Sequence, residues 1–125
     1  MISGEYGSEY YIKEDAMKTL YHLTIADAVP KILKNGLTPK IGRISERCKE
    51  TQKRIYLFPT EEAFQSAADN WLIDSFEEAY GEEIKLCLLE VNIPDIFPIT
   101  KGTVDYEVYS YKNIPPEYIK VKQFI

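Results

Sequence analysis

Histidine and cysteine, the usual ligands of structural zinc, are scarce in this chain. Among its 125 residues are one histidine, His22, and two cysteines, Cys48 and Cys87. The two cysteines do not have the spacing of a metal-binding or redox motif. A structural zinc site is therefore not expected, and we predict no metal cofactor. So few cysteines are typical of a reducing, cytoplasmic setting.

Long apolar runs and an excess of basic charge are also missing. No apolar segment approaches the roughly 20 residues that a membrane-spanning helix requires. The N-terminal stretch has no basic region followed by an apolar one, so we expect no secretory signal. The chain carries 20 acidic and 15 basic residues, and its formal net charge of −5 argues against broad nucleic-acid binding. These features predict a cytoplasmic protein that does not bind a membrane.

One segment departs from this acidic average. Residues 40–54, "KIGRISERCKETQKR", contain six basic and two acidic residues, a local charge of +4. The ordinary explanation is a solvated loop. The alternative is a loop that faces the phosphates of a ligand, and this alternative requires other site residues nearby.

Length and hydrophobic content indicate a single domain. A chain of 125 residues that is 45% hydrophobic can build one core. Residues 1–16 resemble a loosely attached tail, whereas the compact pattern occupies residues 17–125.

The apolar pattern predicts an α+β domain with a mostly antiparallel sheet. In the first helix, Thr24 or Asp27 can serve as the N-cap and Gly36 as the stop signal. The second helix is expected to run to about Tyr80, with Thr60 as its N-cap. Its outer face is acidic, and an apolar inner stripe is predicted from Ala63 to Phe76. The predicted strands are residues 19–23, 54–59, 84–93, 103–111 and 118–125, and the residues between 93 and 103 are predicted to be a turn-rich connection.

Three polar side chains stand on predicted strands. His22 lies where the first strand meets the first helix, and Tyr56 lies in the middle of the second strand. Glu107 follows Asp105 by two residues, so both acids should project from one sheet face. Each residue also has an ordinary explanation: a hydrogen-bonded structural histidine, a common strand residue in a chain with ten tyrosines, and a solvent-facing carboxylate.

The order of these residues resembles the H-Y-E pattern of the ADP-ribosyltransferase superfamily. The motifs are "LYHLT", "RIYLFPT" and "DYEVYSYKNIPPEYIKV", and the similarity extends over residues 19–125. Each motif is short, so the specificity lies in their order and spacing. The resemblance is to small single-domain members of bacterial or phage type. It implies an ADP-ribosyltransferase-like fold in which two small, mostly antiparallel sheets with flanking helices form a cleft for NAD+.

The resemblance also implies roles for individual residues. His22 would bond a hydroxyl of the nicotinamide ribose, and Tyr56 would stack on the nicotinamide ring. Glu107 would bond the ribose 2′-hydroxyl and orient the acceptor. Thr24 would support the histidine or contact the adenosine side. Leu23 stands where many members have glycine, so the approach of its backbone to the nicotinamide amide would differ.

Two further assignments depend on the same resemblance. Arg43 and Ser45, in the basic segment, would contact the pyrophosphate, where arginine offers a planar bidentate fork. Asp105 is the alternative catalytic acid, because a register shifted by two residues matches the poly(ADP-ribose) polymerases instead. We favour Glu107 because its distance from "IPPEYI" is similar to that in the bacterial branches. The tripeptide Asp105–Glu107 only approximates the E-x-E or Q-x-E motif of the toxins.

The expected activity is NAD+-dependent mono-ADP-ribosylation with release of nicotinamide, and NAD+ would be a co-substrate. The acceptor could be a protein, a nucleic acid or a small molecule. The alternative is a non-catalytic module on the same fold that binds NAD+ or a partner protein. RNA 2′-phosphotransferase activity is a weaker alternative, since that related family uses further pocket histidines and this chain has one.

Overall fold

A computed structural model describes residues 16–41, 52–102, 104 and 106–125. In this part of the chain, two three-stranded antiparallel sheets combine with helices into an α+β fold. The predicted tail, apart from residue 16, lies outside the described residues. The elements are β1 (Met17–Ile25), α1 (Val29–Asn35), β2 (Ile55–Leu57), α2 (Glu61–Ala67), α3 (Ile73–Tyr80), β3 (Leu86–Pro94), β4 (Thr100–Lys101), β5 (Val108–Ser110) and β6 (Ile119–Phe124).

The first sheet has the strand order β1-β3-β6, and we call it the central sheet. β1 and β3 pair antiparallel over nine residues, from Met17 opposite Pro94 to Ile25 opposite Leu86. The continuous apolar run of β3 predicts a strand covered on both faces, and this prediction is confirmed. Leu88 contacts one apolar cluster and Leu89 the other, and both are almost fully buried.

The second sheet has the order β2-β5-β4 and consists of short strands. Two backbone hydrogen bonds join it to the central sheet: the amide of Tyr21 donates to the carbonyl of Phe58 (2.9 Å), and the amide of Phe58 donates back (2.7 Å). Ile55 and Leu57 point into the core between the sheets. Because strand side chains alternate, Tyr56 points to the opposite face of β2.

A long helix covers the other face of the central sheet. It consists of α2, a π-helical segment (Ala68–Leu72) and α3 in continuous succession. Thr60 is its N-cap as predicted, since the hydroxyl accepts a hydrogen bond from the amide of Ala63 at 3.0 Å. The predicted inner stripe is also confirmed, because all its members pack in one apolar cluster: Ala63, Phe64, Ala67, Ala68, Trp71, Leu72 and Phe76.

The first helix is shorter than the long helix and begins differently from the prediction. The chain enters α1 through a 3-10 turn (Ala26–Ala28) with Ile25 at its N-cap. Among the described residues, no side chain of Thr24 or Asp27 caps this turn or α1. The prediction of a side-chain cap was wrong because the strand continues to Ile25 and the turn follows directly. Gly36 ends the helix at φ 85°, as predicted.

The segment around Glu107 differs most from its predicted structure. Only Val108–Ser110 form a strand, so Glu107 lies just before β5 and not within it. The amide of Glu107 donates to the carbonyl of Val104, and the amide of Gly102 donates to the carbonyl of Glu107. These bonds close the turn that joins β4 to β5. The strand β4 lies in the segment that was predicted to be a turn-rich connection, where no strand was expected.

No helix in the described part of the chain is long and apolar enough to span a membrane.

Candidate functional site

His22 lies on β1 and binds the backbone of β2. Its Nδ1 is 2.8 Å from the carbonyl oxygen of Tyr56. A carbonyl oxygen can only accept a hydrogen bond, so Nδ1 carries the proton. The half-buried imidazole therefore joins the central sheet to the edge strand of the second sheet.

The surroundings keep this imidazole neutral. Desolvation lowers the pKa of His22 and outweighs the opposing effect of the Tyr56 carbonyl, while the charge of Lys40 lowers it further. In a neutral imidazole with the proton on Nδ1, Nε2 has a lone pair. His22 can consequently accept a hydrogen bond from a hydroxyl group of a ligand.

Tyr56 belongs to an aromatic cluster on the outer face of the second sheet. It pairs with Tyr109 across β2 and β5, and the two rings meet edge to face with centroids 5.1 Å apart. The guanidinium carbon of Arg54 lies 4.1 Å from the centroid of Tyr109 and 5.3 Å from that of Tyr56. Nε of Arg54 also donates to the Tyr56 hydroxyl at 3.3 Å. The Tyr56 ring is thus held by contacts to two neighbours.

Glu107 reaches the same cluster from the turn before β5. The Tyr109 hydroxyl donates to Oε1 of Glu107 at 3.2 Å. Gly102 lies against this contact, since a Cβ at that position would be 2.9 Å from the Tyr109 hydroxyl and 2.9 Å from the Glu107 carbonyl oxygen. Three of the predicted site residues are therefore linked: His22 to Tyr56 through the backbone, and Tyr56 to Glu107 through Tyr109.

Tyr109 keeps its proton in this environment. Desolvation and the negative charge of Glu107 raise its pKa to about 12, although Arg54 acts in the opposite direction. The phenol therefore serves as a hydrogen-bond donor to the carboxylate throughout the physiological pH range.

Arg54, Gly102 and Tyr109 were not among the site residues predicted from the sequence. The alternation of strand residues is the signal that could have found two of them, because Arg54 precedes Tyr56 by two residues and Tyr109 follows Glu107 by two. Gly102 has no such signal, since its role depends on the turn between β4 and β5.

The remaining predicted residues are placed as follows. Thr24 is half-buried on β1 and shares a sheet face with His22. The side chain of Leu23 is buried under the long helix, on the opposite face. Arg43, Ser45 and the alternative acid Asp105 lie outside the described residues.

A second aromatic contact joins the long helix to the turn that carries Glu107. Trp71, in the π-helical segment, packs against Tyr106 with ring centroids 6.3 Å apart and planes tilted by 54°. Tyr106 directly precedes Glu107, so the helix contributes to the placement of the acid.

Within the described ranges, no group of three or more histidine, cysteine, aspartate or glutamate side chains is arranged to hold a metal ion. No protein-family model, curated protein or solved structure matches this chain.

Proposed function

We propose that this protein is an NAD+-dependent ADP-ribosyltransferase that transfers ADP-ribose to an acceptor and releases nicotinamide. The proposal is supported by the H-Y-E order of the motifs and by the contacts among their residues. His22, Tyr56 and Glu107 come from three separate segments of the chain. They are joined by one hydrogen bond to a backbone carbonyl, one ring contact and one hydrogen bond to a carboxylate.

The single observation that carries the proposal is the contact of Glu107 with Tyr109, the cross-strand partner of Tyr56. It places a carboxylate next to an aromatic cluster in which the rings are fixed. A site that cleaves NAD+ needs both features, since the nicotinamide must be held while positive charge develops on the adjoining ribose.

In the proposed reaction, the bond between C1′ of the ribose and the nicotinamide nitrogen breaks. The electron pair of that bond leaves with nicotinamide, whose ring nitrogen becomes neutral. The acceptor nucleophile forms the new bond to C1′ and releases its proton to solvent. The transition state resembles an oxocarbenium ion, and the fixed carboxylate of Glu107 stabilises its positive charge.

His22 and Tyr56 bind and orient the co-substrate in this proposal. The lone pair on Nε2 of the neutral His22 accepts a hydrogen bond from a ribose hydroxyl. The Tyr56 ring provides a platform for the nicotinamide, and its contacts with Arg54 and Tyr109 hold the ring before the ligand binds.

A second candidate function is a non-catalytic module that binds NAD+ or a partner protein. Arg54 is the observation that favours it, because its guanidinium lies over the rings of Tyr56 and Tyr109. A cation at an aromatic face competes with a stacked ligand for that face. A module that binds a partner protein would not need this face for a nicotinamide ring.

Release of nicotinamide from NAD+ by the purified protein tests the proposal. We expect Glu107→Gln to slow release about a hundredfold or more, because one electrostatic partner of the transition state is lost. Glu83→Gln is the matched control, since Glu83 lies on the exposed turn after the long helix. Loss of activity in Asp105→Asn with normal activity in Glu107→Gln would show that the acid is Asp105. Binding of NAD+ with no turnover, even with candidate acceptors present, would favour the non-catalytic module.

A further inference from the structure

We propose that Tyr109 is the positioning residue of this site: its hydroxyl holds the Glu107 carboxylate while its ring holds Tyr56. This inference rests on the proposed function, because it assigns a role to a residue that supports the reacting groups. Tyr109 lies outside the H-Y-E pattern, and its role follows from its contacts alone.

The position of the Tyr109 hydroxyl is restricted on two sides. It donates to Oε1 of Glu107 at 3.2 Å, and the residue is only 7% exposed. The backbone of Gly102 approaches so closely that an added Cβ would be 2.9 Å from the hydroxyl and 3.0 Å from Cε2 of the ring. Few other positions are open to the phenol, so the carboxylate that it binds is also restricted.

The ring of Tyr109 carries the second half of the proposed role. It meets Tyr56 nearly perpendicularly, with an interplanar angle of 88°, and Arg54 packs at 4.1 Å from its centroid. One side chain therefore contacts both the proposed acid and the proposed nicotinamide platform. A shift of Tyr109 would change the separation between these two groups.

The charges around Tyr109 suit a permanent hydrogen-bond donor. Among the described residues, the charged and titratable groups that face it are Glu107 before its own strand, and Arg54 and Tyr56 on or beside β2. On β4, Thr100 is its cross-strand partner, whereas Lys101 pairs with Val108 and projects from the other face. Desolvation and Glu107 raise the pKa of the phenol and Arg54 lowers it, and the net effect leaves the phenol protonated.

The first test compares Tyr109→Phe with Tyr118→Phe in nicotinamide release over a range of pH. Phenylalanine keeps the ring contacts and removes only the hydroxyl, and Tyr118 is a partly buried tyrosine outside the cluster. For Tyr109→Phe we expect kcat to fall about tenfold with a smaller change in the KM for NAD+. We also expect the acid limb of the pH profile to move to higher pH, since a carboxylate that loses a donor is protonated more easily. A purely structural tyrosine would leave the acid limb in place.

The second test does not depend on turnover. The phenolate absorbance of the wild type minus that of Tyr109→Phe follows the ionisation of Tyr109, with circular dichroism confirming that the fold persists. Glu107→Gln should let Tyr109 ionise at lower pH than in the wild type, because a negative neighbour is removed.

The outcomes separate the inference from the proposed function. An unchanged phenolate titration in Glu107→Gln overturns the inference, as does a Tyr109→Phe enzyme with the acid limb of the wild type. A wild type that releases no nicotinamide and binds no NAD+ overturns the proposed function. A coupled titration of Tyr109 and Glu107 would then show that the contact exists without serving catalysis, which also removes the positioning role.

Discussion

His22 contributes to stability in a pH-dependent way, because its environment favours the neutral ring. Its pKa in the folded state is lowered from the ordinary value of 6.5, mainly by desolvation. Above pH 6.5 the ring is mostly neutral in both the folded and the unfolded chain. As the pH falls below it, the unfolded chain takes up the proton first, so folding becomes less favourable.

We therefore expect the wild type to lose stability relative to His22→Gln as the pH falls below about 6.5. Glutamine can still donate to the Tyr56 carbonyl but does not titrate. Urea unfolding at several pH values from about 8 down to about 5 measures the difference. A difference in unfolding free energy that stays constant over this range would show that His22 is not held neutral.

Gly102 gives a way to disturb the site without altering any of its functional groups. A methyl group at this position would meet the Tyr109 hydroxyl and the Glu107 carbonyl oxygen at 2.9 Å, so one of them must move. We expect Gly102→Ala to reduce nicotinamide release about tenfold or more, because small displacements of reacting groups are costly.

Gly81→Ala is the control for this substitution. Gly81 has φ 103°, a conformation that strains alanine, but an added Cβ would have no neighbour within 4 Å. The control should lose stability and keep its activity per folded molecule. Equal activity of the two variants, measured per folded molecule, would show that the approach at Gly102 does not position the site.

Among the elements, the long helix follows most directly from the sequence. Thr60 caps it, two acidic residues occupy its first turn, and its apolar stripe faces the core. These signals are local, since a cap and a stripe depend on residues within a few turns of each other. The π-helical segment (Ala68–Leu72) had no comparable signal in the sequence.

The cap at Thr60 can be tested by itself. We expect Thr60→Ala to lower the free energy of unfolding by about 1 kcal/mol, the usual effect of losing an N-cap oxygen. Thr60→Ser retains the acceptor for the amide of Ala63 and should remain within a few tenths of a kcal/mol of the wild type. Equal losses in both variants would mean that the hydroxyl does not stabilise the helix.

The segment around β5 shows where prediction from sequence fails. The stretch "TVDYEVYSY" alternates as a strand does, yet only Val108–Ser110 pair with neighbours. The bond from the Gly102 amide to the Glu107 carbonyl turns the chain instead, and this bond depends on the placement of β4. Alternation alone contains no information about such a partner. The same limit applies to the pairing of β1 with β3, which joins residues far apart in the chain.

At the scale of the whole molecule, the fold links three residues from separate motifs: His22, Tyr56 and Glu107. The strands of His22 and Tyr56 meet because Tyr21 and Phe58 exchange backbone hydrogen bonds. Glu107 reaches them through Tyr109, which lies within the third motif but is not one of the three H-Y-E residues. The contacts that connect the three motifs required the structure, and the roles of their residues at an NAD+ site stay predictions. Arg43, Ser45 and Asp105 remain sequence predictions.

Calorimetric titration of NAD+ and of ADP-ribose into the wild type and Tyr56→Ala tests the central claim most directly. If Tyr56 is the nicotinamide platform, the substitution should weaken NAD+ binding about tenfold or more, the usual effect of losing one stacking contact. ADP-ribose lacks the nicotinamide, so its affinity should hardly change. Equal weakening of both ligands would contradict the assigned role of Tyr56, and a wild type that binds neither ligand would contradict the NAD+ site itself.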